Sequence, residues 1–325
     1  MNPQIGMVGL GRMGANMARR LARAGVGVIG FDPDADARAE FGSEEGCQSV
    51  DSLEALTHAL PPLRVIWLMV PAGERTEATI AELATRLHAE DIIVDGGNAF
   101  YKDSVRRAVD LASYGVRFVD CGVSGGVWGL DHGYALMFGG SPAAAREIEP
   151  FVKILAPAPD RGWLHCGPSG SGHFVKMIHN GIEYGMMQAL AEGFALLKGK
   201  DEFELDVAAV AEMWRDGSVV RSWLLDLTAD FLREDAGLAD IAPIVADSGE
   251  GRWTAMEAIE QGVPAPVLSL AVLMRFASQG KGEYADRMLA MMRKGFGGHK
   301  VTERVTDQVT ERTPEGSARA SKSPS

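Results

Sequence analysis

The sequence predicts an α/β chain, with a doubly wound sheet in its first half and an all-α second half. Three observations predict it. Short apolar runs alternate with helix-like stretches through the first half. A glycine-rich turn, Gly9-Leu10-Gly11-Arg12-Met13-Gly14, joins the first run to the first helix. After Gly167-Pro168-Ser169-Gly170-Ser171-Gly172 the apolar spacing turns helical. Alternation of this kind implies a sheet with helices on both faces.

Strands are expected at Ile5–Val8, Val28–Phe31, Val65–Val70, Ile92–Val94, Arg117–Cys121 and Ala135–Phe138. Val65-Ile66-Trp67-Leu68-Met69-Val70 is apolar throughout, which suits a parallel strand covered on both sides. Pro157, Pro159 and the glycine-rich segment then break the pattern. Beyond them, helix-spaced apolar positions cover Phe174–Leu197, Asp206–Trp214, Val219–Leu232 and Pro266–Arg293. The expected domains are 1–168, nucleotide-binding, and 169–300, helical and substrate-binding or dimer-forming. Residues 301–325 lack aromatics, balance four acids with four bases, and are expected to be disordered. No internal repeat is visible.

Composition narrows the class. The chain has 325 residues, 46% hydrophobic and 23% charged, with a net charge of −12. A basic face of the kind that holds nucleic acid is absent. No apolar run approaches the ~18 residues needed to span a bilayer. The chain passes from Met1-Asn2-Pro3-Gln4 straight into its first strand, so no secretory or transit segment is expected. Three cysteines without a C-x-x-C pair argue against a disulfide framework. His165, Cys166 and His173 do not have zinc spacing, so no metal is expected. A cytoplasmic enzyme or binding protein fits best.

The glycine turn is informative because of its surroundings. It follows a strand and opens a helix, and the next strand leads to Asp32, eighteen residues after Gly14. This is the context a Rossmann dinucleotide fingerprint requires. Gly9 permits the turn, Gly11 lets the pyrophosphate approach, and Gly14 lets helix and strand pack. The pyrophosphate would sit on the helix N-terminus, where free N–H groups point outward. Asp32 can accept from ribose hydroxyls and would repel an added phosphate, so NAD is the expected cofactor rather than NADP. Leu10, Arg12 and Met13 in the turn, and Val70, Pro71, Ala72 and Asn98 at later strand ends, complete the expected cofactor contacts.

Ligands of such sheets gather beyond the carboxyl ends of the strands. Two of those loops pair glycines with one short polar residue, Gly96-Gly97-Asn98 and Ser124-Gly125-Gly126. The helical half opens on GSGHFVKMIHNGIEYG, Gly170 to Gly185. At ~100° per residue, Lys176, His179, Asn180, Glu183 and Tyr184 share an arc of roughly 140°, with Met177, Ile178 and Ile182 on the other side. A row of hydrogen-bonding groups beside glycines makes a poor solvated face. A polyhydroxylated ligand explains it better.

Together these segments resemble the 6-phosphogluconate dehydrogenases, in particular their shorter, NAD-preferring, decarboxylating branch. The resemblance runs through GLGRMGANMARRL, DGGNAFYKDS, GVSGG, GSGHFVKMIHNGIEYG and DSGEGRWTAMEAIEQGVP to FGGH, about residues 4 to 300. A more distant similarity holds to the β-hydroxyacid dehydrogenases. The resemblance implies oxidation and decarboxylation of 6-phosphogluconate to ribulose 5-phosphate, CO2 and NADH. It implies Lys176 as base and Glu183 as acid. Burial would lower the lysine and raise the glutamate, giving both groups working forms at one pH. Asn98, Ser124, Gly125, Gly126, His179 and Asn180 match the family's sugar-acid contacts, and Tyr184 and Arg275 its phosphate contacts. Arg293 and His299 match a tail pair that enters the neighbouring subunit's site, so a homodimer or homotetramer with shared sites is implied.

One region departs from the pattern. The longer enzymes have a phosphate-binding lysine before a G-x-G-K-W segment, whereas this chain reads Asp247-Ser248-Gly249-Glu250-Gly251-Arg252-Trp253. Glu250 would repel phosphate if it pointed inward. Val127-Trp128 also stand where the longer enzymes have acids. An unphosphorylated sugar acid such as gluconate is therefore the alternative substrate. A non-catalytic NAD-sensing protein is the alternative of another class, and the presence of Lys176 and Glu183 speaks against it.

Overall fold

The computed structural model describes residues 3–297 together with Lys300 and Thr302. His299 and nearly all of the 301–325 tail lie outside the described residues. Residues 1–279 and 280–325 separate into two units.

The first unit begins with β1 (Gln4–Val8), α1 (Arg12–Arg23), β2 (Gly27–Phe31), α2 (Ala35–Gly42), β3 (Cys47–Ser49) and α3 (Leu53–Ala59). It continues with β4 (Val65–Leu68), α4 (Glu74–Ala84), β5 (Ile92–Asp95), α5 (Tyr101–Ala112) and β6 (Arg117–Ser124). A short 3-10 turn and α6 (Gly129–His132) lead to β7 (Ala135–Gly140), α7 (Pro142–Leu155) and β8 (Trp163–Gly167). The strand order is β3-β2-β1-β4-β5-β6-β7-β8. Every neighbouring pair is parallel except β6 with β7. The sheet is thus doubly wound as expected, with one antiparallel step.

Alternate strand residues feed two cores. Met7, Val28, Trp67, Val94 and Val119 pack with Met17 and Leu21 of α1 and Ile148 and Phe151 of α7. Val8, Ile29, Ile66, Leu68 and Ile93 pack on the opposite face with Leu56 of α3, Leu83 of α4 and Leu111 of α5. Both faces are covered, which is why β4 reads as an unbroken apolar run. Each fully buried side chain of this kind, such as Ile66, stabilises the fold by about 1.5–3 kcal/mol relative to exposure.

Helices fill the rest of the unit: α8 (Ser171–Lys198), α9 (Val207–Arg215), α10 (Trp223–Glu234), α11 (Glu250–Gln261) and α12 (Pro266–Ser278). Ser141, Ser52, Asp206 and Ser222 each cap a helix with a side-chain oxygen. The second unit carries α13 (Glu283–Gly297). The single helix expected over Pro266–Arg293 is therefore two, since Gly280 takes φ +73, a left-handed value that ends a helix.

Candidate active site

The glycine turn behaves as its sequence requires. Gly9 has φ +93, and a Cβ there would lie 2.5 Å from the Met69 carbonyl oxygen. A Cβ on Gly14 would fall 1.9 Å from the Gly9 carbonyl oxygen. Gly11 faces open space and stands at the N-cap of α1 without a side-chain cap. The first N–H groups of α1 are thus free for an anion. Asp32 Oδ2 accepts from Leu10 N at 2.7 Å and Oδ1 from Asp34 N at 2.9 Å. Each oxygen keeps a lone pair for a ribose hydroxyl. NAD fits this cradle.

The next two strand ends lie against each other. A Cβ on Gly97 would stand 2.3 Å from the Val70 carbonyl oxygen, so the two loops touch through that glycine. Asn98 follows with φ +53, and its Oδ1 is buried without a partner. An unpaired buried acceptor is costly, and a ligand donor would satisfy it. Ser124 is not in a loop, as expected from sequence, but is the last residue of β6. Gly125 (φ +136) and Gly126 (φ +53) turn the chain immediately afterwards.

Helix α8 is anchored across these strands by a buried carboxylate. Asp120 of β6 accepts from Gly170 N at 2.5 Å and His173 N at 2.8 Å, which caps the helix from outside its own sequence. Burial pushes the Asp120 carboxyl above the usual range, against the opposing effects of His173 and these backbone donors. Ser104 Oγ holds His173 Nδ1 at 2.7 Å. Close approach then depends on Gly122. A Cβ there would stand 2.2 Å from the Lys176 Cβ. Lys176 is consequently only 5% exposed. Burial pulls its ammonium below the ordinary lysine range, against the charges of Glu183 and Glu250, which push it up.

His179 is the hub beside it. Its Nδ1 lies 3.0 Å from Asn180 Oδ1, 3.5 Å from Lys176 Nζ and 3.8 Å from Glu183 Oε2. Its Nε2 lies 3.4 Å from Ser124 Oγ. With Asn180 Oδ1 as acceptor, the tautomer protonated at Nδ1 lets Nε2 accept from the serine. A cleft of about 1010 Å³ collects Met13, Asn98, Ser124–Gly126, Lys176, His179, Asn180 and Glu183.

Residues 4–166 match the family model for the NAD binding domain of 6-phosphogluconate dehydrogenase, and residues 172–313 match that for its C-terminal domain. The chain belongs to the 6-phosphogluconate dehydrogenase family. It is 42% identical over 299 residues to the NAD(+)-dependent, decarboxylating 6-phosphogluconate dehydrogenase of Haloferax volcanii, covering 92% of this chain and 98% of that one. It is 36% identical over 292 residues to the NADP(+)-dependent enzyme of Bacillus subtilis, covering 86% of this chain but 62% of the relative. The Plasmodium falciparum 6-phosphogluconate dehydrogenase structure matches with TM-score 0.78 at 28% identity, over 94% of this chain and 67% of that one. A Mycobacterium tuberculosis 3-hydroxyisobutyrate dehydrogenase shares the fold, with TM-score 0.69 at 21% identity over 87% of this chain and 94% of that one.

Within this family member, several residues lie elsewhere than their spacing suggests. Tyr184 leaves the cleft and packs against Ala271 and Val272 of α12, 5% exposed. The Arg275 guanidinium stacks 3.4 Å from its ring centroid, and neither residue lines the cleft. Ile178 and Ile182 do line it, so the apolar side of α8 is not turned away. Gly181 instead meets Thr254 of α11, whose hydroxyl donates to the Met177 carbonyl at 2.8 Å. Glu183 is not buried: its side chain is 40% exposed. Arg293 lies on α13 in the second unit, and His299 lies outside the described residues.

Glu250 is buried, although it does not line the cleft. It is 8% exposed, accepts from Ser248 Oγ at 2.5 Å, and is close enough to Lys176 to stabilise its charge. Gly122, Asp120 and Trp223, which also lines the cleft, were not legible as site residues. For Gly122 a signal existed, since a lone glycine inside a strand often marks close approach of another segment. Among the described residues, no three of His, Cys, Asp and Glu come together as metal ligands would. No described helix is long and apolar enough to cross a membrane.

Proposed function

We propose that this chain oxidises and decarboxylates 6-phosphogluconate to ribulose 5-phosphate and CO2. The observation that carries the reading is Lys176, desolvated against Gly122 in the same cleft as Asn98 and the nucleotide helix. Bound NAD supplies the hydride acceptor. The residues 9–14, Asp32, 70–72 and Asn98 would hold it. Neutral Lys176 takes the proton of the C3 hydroxyl as hydride leaves C3. The resulting 3-keto acid loses C1 as CO2 while the Lys176 ammonium returns its proton to the C3 oxygen, giving the enediol. Glu183 then delivers a proton to C2, which becomes C1 of the ketose, as Lys176 takes back the proton of the C3 hydroxyl. Asn98, Ser124, Gly125, Gly126, His179 and Asn180 hold the sugar acid. Desolvation suits a lysine base because it disfavours the ammonium form.

In this reading Tyr184 and Arg275 serve the phosphate end, together with Arg293 and His299 of a second copy. Self-association is supported by exposed apolar residues on the helices, such as Leu196 at 77%, Ile259 at 81% and Val267 at 65%. A division at 168/169 is supported by the matched spans 4–166 and 172–313. A cytoplasmic setting suits the reading. One observation favours gluconate instead: the buried carboxylate of Glu250 accepts from Ser248, whose hydroxyl also bonds Tyr184, so a negative charge stands beside a residue given to the phosphate end.

Initial rates with each acid and each nicotinamide cofactor test the proposal. 6-Phosphogluconate with NAD should give the highest kcat/KM. Preference for gluconate would replace the substrate, and equal use of NAD and NADP would remove the role of Asp32. Asp32→Ala with Pro33→Arg should move preference towards NADP, by exchanging a repelling carboxylate for a phosphate-binding guanidinium.

The acid limb of kcat/KM against pH offers a further check. Glu250 favours the ammonium form of Lys176, so Glu250→Gln should lower the lysine pKa. Neutral base then persists to lower pH, and the limb should move to lower pH. Movement to higher pH would show that the two groups are not electrostatically linked in this way.

A further inference from the structure

Arg107 of α5 is 1% exposed, among the most buried charges in the chain. Its Nη1 donates to Asp95 Oδ2 at 2.7 Å, and its Nε and Nη2 donate to Glu77 Oε1 at 3.0 and 2.7 Å. Each acid flanks a different loop at the carboxyl ends of the strands. Asp95 ends β5, and its Oδ1 accepts from Gly97 N at 3.1 Å, one residue before Asn98. Glu77 lies in the first turn of α4, beside Thr76, whose hydroxyl donates to the Pro71 carbonyl at 3.0 Å.

The loops so tied are the ones that touch through Gly97 and the Val70 carbonyl. Asn98 itself takes φ +53, a left-handed state that asparagine tolerates better than most residues, and its direction depends on the turn that Asp95 and Gly97 form before it. Burying an ion pair is seldom the cheapest route to stability, since desolvation offsets much of the attraction. What a guanidinium supplies here, and an apolar side chain would not, is a planar fork that fixes two acceptors at set angles. Burial works to raise the Glu77 carboxyl, but Arg106 and Arg107 outweigh it and hold it below the usual range. The Glu77 arm of the tie therefore stays charged at neutral pH.

We infer that Arg107 is a positioning residue that clamps the β4–α4 loop to the β5–α5 loop and so orients Asn98 in the cleft. The inference rests on the reading that Asn98 contacts the bound ligands. It makes the geometry of the nicotinamide side and the sugar-acid side interdependent, through one residue that touches neither ligand.

A double-mutant cycle on the full chain tests it, with Arg107→Lys, Asn98→Ala and the combination, each checked for native circular dichroism. Lysine keeps the charge and loses the fork. With 6-phosphogluconate and NAD, Arg107→Lys should lower kcat about tenfold while KM for the acid changes less than about threefold. In the Asn98→Ala background the same change should cost less than about twofold, because the residue it acts through is gone. An equal loss in both backgrounds would overturn the clamp. If Arg107→Lys does not fold, Glu77→Gln cuts one arm of the tie at a side chain that is 39% exposed, and the same cycle applies. If the unaltered protein does not turn over 6-phosphogluconate, the proposed function fails, not the clamp. The cycle is then read as NADH affinity by fluorescence, where non-additive losses support the clamp and additive ones overturn it.

Discussion

Lys176→Met should bind NADH within about twofold of the unaltered protein and lose about 10²–10⁴-fold in kcat, the usual contribution of a general base. Methionine has nearly the length of lysine and suits a side chain that is already 5% exposed, so the packing against Gly122 survives. Removing a buried amine also removes a desolvation cost, and the variant should melt no lower than the parent. Loss of activity with retained or raised Tm is thus the expected pair of results. Measured rates within tenfold of normal would take Lys176 out of the proton transfer.

Gly122→Ala should be nearly as damaging, although glycine to alanine is a small change. The added Cβ would lie 2.2 Å from Lys176 Cβ and 2.8 Å from its Cγ. The Cγ can turn about χ1, but the Cβ cannot swing away without moving α8 off β6, and Asp120 ties the start of that helix to the same strand. A displacement of about 1 Å at a catalytic group costs about 10²-fold in rate. Gly193→Ala, also on α8, meets nothing within 4 Å and serves as the control. It should leave kcat unchanged and stabilise the helix by about 0.4–1 kcal/mol. A fall in kcat from Gly193→Ala equal to that from Gly122→Ala would mean that helix composition, not the close contact, governs the lysine.

Much of the fold was legible because its central strands are covered on both faces. β4 and β5 are buried along their whole length and read as apolar runs. The strands that escaped notice are at the ends of the sheet. β3 is Cys47-Gln48-Ser49 and β8 is Trp163–Gly167, and neither contains a fully buried residue. An edge strand carries no continuous apolar signal because one side faces water. Helix α11 escaped for the opposite reason. It buries Glu250, Gly251, Thr254 and Glu257 while exposing Met256 and Ile259, so its periodicity points the wrong way.

The site was legible where chemistry demands a residue type, and obscure where tertiary packing chooses. The glycine turn, Asp32 and the Lys176–Glu183 stretch announce themselves by type and spacing. The helical wheel could not tell that Tyr184 is drawn into α12 or that Ile182 stays in the cleft, because neighbours and not angles decide which edge of an arc is covered. Arg107 was invisible for the same reason, since its partners come from Glu77 and Asp95 on other elements.

The central claim is that one active site couples hydride removal at C3 to loss of C1. It is tested most directly by incubating the protein with NAD and 6-phosphogluconate labelled at C1, while counting NADH formed and labelled CO2 released. The account predicts equal amounts of the two, with ribulose 5-phosphate as the remaining product. NADH formed without labelled CO2 would contradict it, and would make the chain a dehydrogenase that leaves its acid intact.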